Sequence, residues 1–269
     1  MFANLDLRDF VEVREARLAH GTPFVIAHRG ASAVAPENTM HAFALAIDQG
    51  ACLIETDLWF SKDRELILLH DRNLQRTTGR NAYVTDLSAA EVVSTPVNMQ
   101  ERDAPEPQFV PPLAALLELA SKANVALLLE LKDPRFSIPS WARKLIDVLG
   151  THEFLSHVLV TSFQPRCLLA IREVYPELPV GPVAMNMLFP APDWDFVGPA
   201  WPNLAANPLF VWHAHRERML VAPLDTDPTT RMSMYARQGV DAVLTDDVAA
   251  TVAALPAAAG QPGRRHGLA

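Results

Sequence analysis

Short apolar runs alternate with stretches of helical spacing along most of this 269-residue chain. Phe24–Ala27, Cys52–Leu58, Glu65–Leu69, Val125–Leu131, Val158–Thr161, Pro179–Val183, Met219–Leu224 and Asp241–Leu244 read as strands. Between them Asn38–Gly50, Leu113–Ala123, Ser140–Leu149, Pro165–Val174, Thr229–Gly239 and Val248–Ala254 read as helices. The first is ended by Gly50, and the fourth opens on Pro165 at a tolerated first-turn position. Strand and helix in alternation predict repeated βα units and a parallel sheet. Eight such strands predict an α/β protein of the (β/α)8 TIM-barrel type.

Two stretches break the pattern. Residues 72–112, with Thr77-Thr78-Gly79, Asn98 and a cluster of Pro105, Pro107, Pro111 and Pro112, predict a small insertion after the third strand. From Asn186 to Arg218, Trp194, Trp201, Phe210 and Trp212 are scattered among prolines without a clear period, and no element is assigned. One barrel domain over residues 1–259 is expected, with 260–269 as a disordered tail.

Charge and thiol content narrow the class. The chain carries 23 Lys+Arg against 31 Asp+Glu, a net charge of −8. That balance does not favour nucleic acid, so an anionic substrate must be met by local cations or a metal. Met1–Arg17 has no apolar leader core and no later stretch reaches membrane-spanning length, which predicts a cytoplasmic protein without a transmembrane segment. Cys52 and Cys167 have no paired spacing, which argues against a disulfide framework or a cysteine zinc site.

The chemistry sits directly after apolar runs. His28-Arg29-Gly30, Glu55-Thr56-Asp57, His70-Asp71 and Glu130-Leu131-Lys132 each close or follow a strand, where parallel barrels place their active sites. Strand residues two apart share a face, so Glu55 and Asp57 project with Leu53, and Glu130 with Lys132 and Leu128. Three carboxylates brought together repel unless neutralised, and a hard divalent cation such as Mg²⁺ or Ca²⁺ is the usual resolution. The plainer reading is ordinary ion pairing of Glu55 and Asp57 with Arg29, Lys132 or Lys62. His28 and His70 end different strands and suit an acid–base pair for displacement at phosphorus. Arg29 and Lys132 are candidates for binding the phosphate, although alternation puts Arg29 out of phase with His28 unless the chain turns at Gly30. His213 is left undecided, and the remaining histidines read as structural.

These signatures, together with Pro36-Glu37-Asn38-Thr39, resemble the glycerophosphodiester phosphodiesterase family in order and spacing from about Val25 to Asp246. Arg76-Thr77-Thr78-Gly79, Ser162-Phe163 and Gly239-Val240-Asp241 through Thr245-Asp246 are secondary echoes. The resemblance implies a TIM barrel, a divalent metal on Glu55, Asp57 and Glu130, acid–base work by His28 and His70, and phosphate contacts from Arg29 and Lys132. It further implies hydrolysis of a glycerophosphodiester to an alcohol and glycerol 3-phosphate. Glu37 and Asn38 are expected to order the loop after the first strand and cap the next helix.

Two departures stand out. Ala222-Pro223-Leu224-Asp225-Thr226-Asp227 replaces the family's Trp-Thr-Val-Asn segment, and Arg64 stands where the turn after Lys62-Asp63 usually has Gly, which predicts a different hairpin turn. A phospholipase D-type enzyme acting on lysophospholipids or sphingolipids is the alternative within the same chemistry. For it, Phe189, Trp194, Phe196, Trp201, Phe210 and Trp212 would supply an apolar entry. A barrel that binds a phosphoester without turning it over is the alternative from another class; the competent type of all seven site residues weighs against it.

Overall fold

The computed structural model describes residues 5–98 and 104–255; the expected tail at 260–269 lies outside the described residues. The chain runs through α1 (Phe10–His20), β1 (Phe24–His28), α2 (Met40–Asp48), β2 (Leu53–Phe60) and β3 (Leu66–Leu68). Then come α3 (Gln75–Thr78), α4 (Ala89–Val93), α5 (Leu113–Ala123), β4 (Ala126–Leu131), α6 (Pro139–Thr151), β5 (Val158–Ser162), α7 (Pro165–Val174) and β6 (Val180–Ala184). The last third holds β7 (Phe196–Pro199), α8 (Trp201–Ala206), α9 (Phe210–Arg216), β8 (Leu220–Val221), α10 (Met232–Gln238), β9 (Ala242–Thr245) and α11 (Val248–Ala253).

Eight parallel strands, in the order β8-β7-β6-β5-β4-β2-β1-β9, form a nearly closed barrel. Its two ends meet where the N–H of Asp241 donates to the carbonyl of Val221 at 2.9 Å. The TIM-barrel expectation is met, but one wall strand differs from the sequence reading. Segment Glu65–Leu69 gives β3, which pairs antiparallel with β2, Leu58 opposite Leu68, and stands outside the wall. The eighth wall strand is β7, in the stretch to which no element was assigned. A four-residue strand ending Gly198-Pro199 has too little apolar length to announce itself. It also demands a glycine on its neighbour: a Cβ on Gly181 of β6 would lie 2.0 Å from the carbonyl oxygen of Phe196.

Period-2 alternation divides the strands between two cores. Phe24, Ile26, Leu53, Leu128, Leu159, Phe196, Leu220 and Leu244 fill the barrel interior, with Leu5, Leu7 and Val13 from the N-terminal segment among them. Ile54, Leu58, Leu127, Leu129 and Leu131 face outward against Phe43 and the helices. In α5, Leu113, Leu116, Leu117 and Ala120 are buried at one-face helical spacing. The sequence reading missed α1, because its mixed charges hide the pattern. Asp9 caps it by accepting from the N–H groups of Val11 at 2.8 Å and Glu12 at 3.2 Å. The segment after β3 packs round a small core of its own, which includes Leu74, Val84, Val92 and Val110.

Both departures have a physical account. Arg64 itself takes the left-handed conformation at φ 67°, a region that glycine enters without steric cost. The Arg64 guanidinium lies 4.4 Å from the Trp141 ring centroid and donates to the Ser140 carbonyl at 2.9 Å. Asp225 is buried after β8, where it accepts two hydrogen bonds of 2.6 Å from Arg231 and one of 2.5 Å from the Tyr235 hydroxyl. Burial and the adjacent Asp225 carboxylate push the Tyr235 phenol far up. Removing the acceptor strands both donors, so Asp225→Ala is expected to lower stability by about 2 kcal/mol, read as a shifted urea midpoint at unchanged slope. A change below about 0.5 kcal/mol would show that the anchor is dispensable.

Candidate active site

Parallel wall strands put all their C-terminal ends on one rim, and the site residues gather there. His28 ends β1 opposite Glu55 of β2, and Asp57 of β2 lies opposite Glu130 of β4. Each is in phase with an interior residue, so the side chains converge. Glu55, Asp57 and Glu130 are buried and place one carboxylate oxygen each within 4.8 Å of the others. Lys132 follows β4, with Nζ 2.6 Å from Glu130 and 3.2 Å from Asp57.

Arg29 reaches this cluster because the chain has already turned. Its φ is 58° and that of Gly30 is 84°, which swings the guanidinium inward to 3.2 Å from Asp57 and 3.3 Å from Glu37. Gly30 has no substitute, since a Cβ there would sit 2.6 Å from the backbone of Ala42. Asn38, also left-handed at φ 52°, donates to Asp57 at 3.0 Å and accepts from Thr56 at 2.7 Å. It thus orders the site, while the cap of α2 is Thr39, whose hydroxyl accepts from Ala42; the expectation that Glu37 and Asn38 cap that helix is corrected.

Both imidazoles are held from behind. His28 Nδ1 lies 2.6 Å from Asp246, which follows β9 and also accepts from Ser32 at 2.9 Å. His70 Nδ1 lies 2.8 Å from Asp71, and the indole of Trp59 donates to the His70 carbonyl at 3.1 Å. Nε2 of each ring is left for other partners. Partial burial lowers the His70 pKa against the pull of Asp57, favouring a neutral ring near pH 7. Asp246, Asp71 and Glu37 were not among the predicted site residues. For Asp246 the signal was present, a carboxylate directly after a strand.

The acidic cluster is electrostatically short of cations. Asp57 stays ionised: burial would raise it, but Lys132 and Arg29 outweigh that and lower its pKa. Burial, with Asp57 and Glu130 nearby, pushes Glu55 well up, and burial also raises Glu130 despite Lys132. Among the described residues no Lys or Arg side chain forms an ion pair with Glu55, whose Oε2 accepts from the Arg29 backbone at 3.1 Å. Asp57 Oδ1 receives no hydrogen bond although it is fully buried. Of the ion pairs in the plainer reading, those of Asp57 with Arg29 and Lys132 exist, whereas Glu55 forms none among the described residues and is offset only in part by the same two charges. Oxygen donors this close, one of them buried with no hydrogen bond and only the Lys132 charge at 3.2 Å, fit a hard metal ion.

Elsewhere the predicted features serve structure. His215 binds Asp241 at 2.9 Å, and His213 on α9 packs edge-on against Trp212. The aromatics offered as an apolar entry divide: Phe196 and Phe210 are core, and Trp194 packs under the Arg172 guanidinium. Phe189, Trp201 and Trp212 are exposed.

A TIM barrel whose rim carries clustered carboxylates, two braced imidazoles and two cations is an enzyme scaffold suited to phosphate esters. Comparison with known proteins agrees. Residues 28–250 match the glycerophosphoryl diester phosphodiesterase family. A glycerophosphodiester phosphodiesterase of Caldanaerobacter subterraneus is 28% identical over 232 residues, covering 83% of this chain and 93% of that one. The Bacillus subtilis protein YhdW, named for the same activity, is 35% identical over 156 residues, which span 58% of this chain and 63% of its own length. In three dimensions, an Oleispira antarctica phosphodiesterase, solved with the product sn-glycerol-3-phosphate, superposes with a TM-score of 0.74 at 24% identity, covering 88% of this chain and 98% of that one. The chain belongs to the glycerophosphoryl diester phosphodiesterase family and is an enzyme of phosphodiester hydrolysis. Among the described residues, no helix is long and apolar enough to cross a membrane.

Proposed function

We propose that this chain, acting as one barrel unit with its insertion at 72–112, hydrolyses glycerophosphodiesters to an alcohol and glycerol 3-phosphate. The observation that carries the reading is the cluster of Glu55, Asp57 and Glu130, with oxygens within 4.8 Å of one another, beside two imidazoles each braced at Nδ1 by an aspartate. Glu55, Asp57 and Glu130 would hold one Mg²⁺ or Ca²⁺. When bound, such an ion supplies positive charge against the phosphoryl oxygens.

The rest is done by the chain itself. Arg29 is held by its Nη1 hydrogen bond to Glu37 and by the charge of Asp57, 3.2 Å from its Nε, leaving Nη2 for a phosphate oxygen. Burial alone would lower the Lys132 pKa, but Asp57 and Glu130 outweigh it, so the ammonium stays charged beside the same phosphate. One imidazole takes the proton of the attacking oxygen through Nε2, and the other gives a proton to the leaving oxygen. Asp246 and Asp71 fix the ring orientations and stabilise the protonated forms. The two cysteines are free, which suits the reducing cytoplasm.

Turnover of glycerophosphocholine with Mg²⁺ or Ca²⁺ tests this. Activity is expected to vanish with EDTA and return with excess dication; turnover indifferent to EDTA would refute the metal assignment.

A second reading has one observation in its favour. The rim is divided: β1, β2, β4 and the residues just after β1 and β4 supply charged groups, whereas Phe163 after β5 and Met185, Leu188 and Phe189 after β6 are exposed, at 47, 63, 53 and 70%. The Lys132 ammonium lies 5.7 Å from the Phe163 ring centroid, so the apolar half adjoins the phosphate position. An apolar alcohol group, as in a lysophospholipid, would fit there. Faster turnover of micellar lysophosphatidylcholine than of glycerophosphocholine supports this reading; the reverse removes it.

A further inference from the structure

His70 follows β3, a strand of the hairpin outside the barrel wall. Sheet pairing ties its backbone to β2, the N–H of Leu69 donating to the Asp57 carbonyl at 3.0 Å, but the direction of its ring is left to side-chain contacts. The side chain that makes the link comes from the insertion. Arg76, on α3, donates through Nε to Asp71 Oδ2 at 2.5 Å, and Asp71 holds His70 Nδ1 through its other oxygen at 2.8 Å. The remaining fork of Arg76 grips Glu37 with two hydrogen bonds of 2.7 Å. Glu37 lies in the loop after β1 and touches Arg29 at 3.3 Å, and Arg29 touches Asp57 at 3.2 Å. One guanidinium thus joins the His70 side of the site to the phosphate side.

We infer that Arg76 is a positioning residue of the reaction, setting the His70 ring against the bound phosphate through Asp71 while Glu37 ties it to the barrel rim. This rests on the reading of His70 as an acid–base group. Bidentate Arg–carboxylate pairing fixes direction as well as distance, and both faces of the fork are engaged here. Stability is a poor explanation for the arrangement: the Arg76 side chain is 49% exposed, and ion pairs of that exposure contribute little to folding. Glu37, by contrast, is mostly buried. Burial would raise its carboxyl pKa, yet the Arg76 hydrogen bonds and the Arg29 charge hold it below the ordinary value. The acceptor thus stays charged and the fork stays locked.

The test uses the full chain with Mg²⁺ and glycerophosphocholine, in wild type, Arg76→Lys and Arg76→Ala. For Arg76→Ala, kcat is expected to fall about 30-fold. The KM should change less than about threefold, since Arg29 keeps its contact with Asp57. Added guanidinium should restore part of the kcat. Arg76→Lys, which keeps a charge but not the fork, is expected to fall between the two. A ¹⁵N-edited NMR experiment on the metal-free protein supplies a second readout: the His70 ring nitrogens should report one tautomer in wild type and an averaged pair in Arg76→Ala. A kcat within about twofold of wild type, or a loss without guanidinium rescue and with unmoved His70 resonances, overturns the inference. If wild type turns over no glycerophosphodiester at all, the proposed function fails, and the NMR comparison still decides the role of Arg76.

Discussion

Replacing either His28 or His70 with alanine is expected to lower kcat on glycerophosphocholine by about 10³-fold, the usual range for an acid or base acting in the transition state. Neither change should disturb the fold, because the two side chains sit at the rim and neither belongs to a core cluster. The pair is separable by leaving group. Bis(p-nitrophenyl) phosphate releases an oxygen that needs no protonation, so the variant lacking the general acid should lose far less on it, whereas the variant lacking the base should lose about 10³-fold on both substrates. Equal losses on both substrates for both variants would contradict a division of labour between the rings. Retention of full activity by either would remove that histidine from the reaction.

The second large effect concerns Glu55, where stability and function are expected to move apart. Burial and two neighbouring carboxylates push its pKa well up, and the charges of Arg29 and Lys132, neither of them in a direct ion pair with it among the described residues, offset this only in part. In the metal-free protein a neutral side chain is therefore the comfortable form. Glu55→Gln keeps the shape and removes the repulsion, so the metal-free variant should unfold at the wild-type temperature or above it, gaining up to about 1 kcal/mol. The same change removes a carboxylate from the proposed metal cluster. Mg²⁺ should then no longer raise the Tm as it does in wild type, and kcat should fall about 10³-fold. Thermal melts with and without Mg²⁺, beside turnover, read both arms. A variant that loses stability without metal yet keeps its metal-induced shift would show that Glu55 is a structural anion and not a ligand.

The candidate site was legible because period-2 alternation in β2 and β4 decides which residues share the interior, and Leu53, Glu55 and Asp57 could be placed together from spacing alone. Strand-end position did the same for His28. What stayed hidden depended on contacts between distant segments or on single dihedral angles. Arg29 looked out of phase because only a left-handed φ of 58° turns it inward, and nothing in an arginine codon advertises that. Asp246 reaches His28 from the neighbouring strand β9, paired with β1 in space but at the far end of the chain in sequence. The role of β7 was invisible because Gly198 and Pro199 carry no strand propensity; barrel closure, a tertiary constraint, imposes the conformation. Conversely, Glu65–Leu69 has the right composition for a wall strand, and only its pairing direction excludes it.

The central claim is that acidic groups from two neighbouring strands share one dication with an imidazole on either side. A crystal grown with Mn²⁺, chosen as a probe for its anomalous scattering, tests this most directly. The account predicts a single strong peak within about 2.2 Å of a carboxylate oxygen from each of Glu55, Asp57 and Glu130, with the His28 and His70 rings facing the same cavity. An empty cluster at saturating Mn²⁺, or a peak held by other residues, would contradict it.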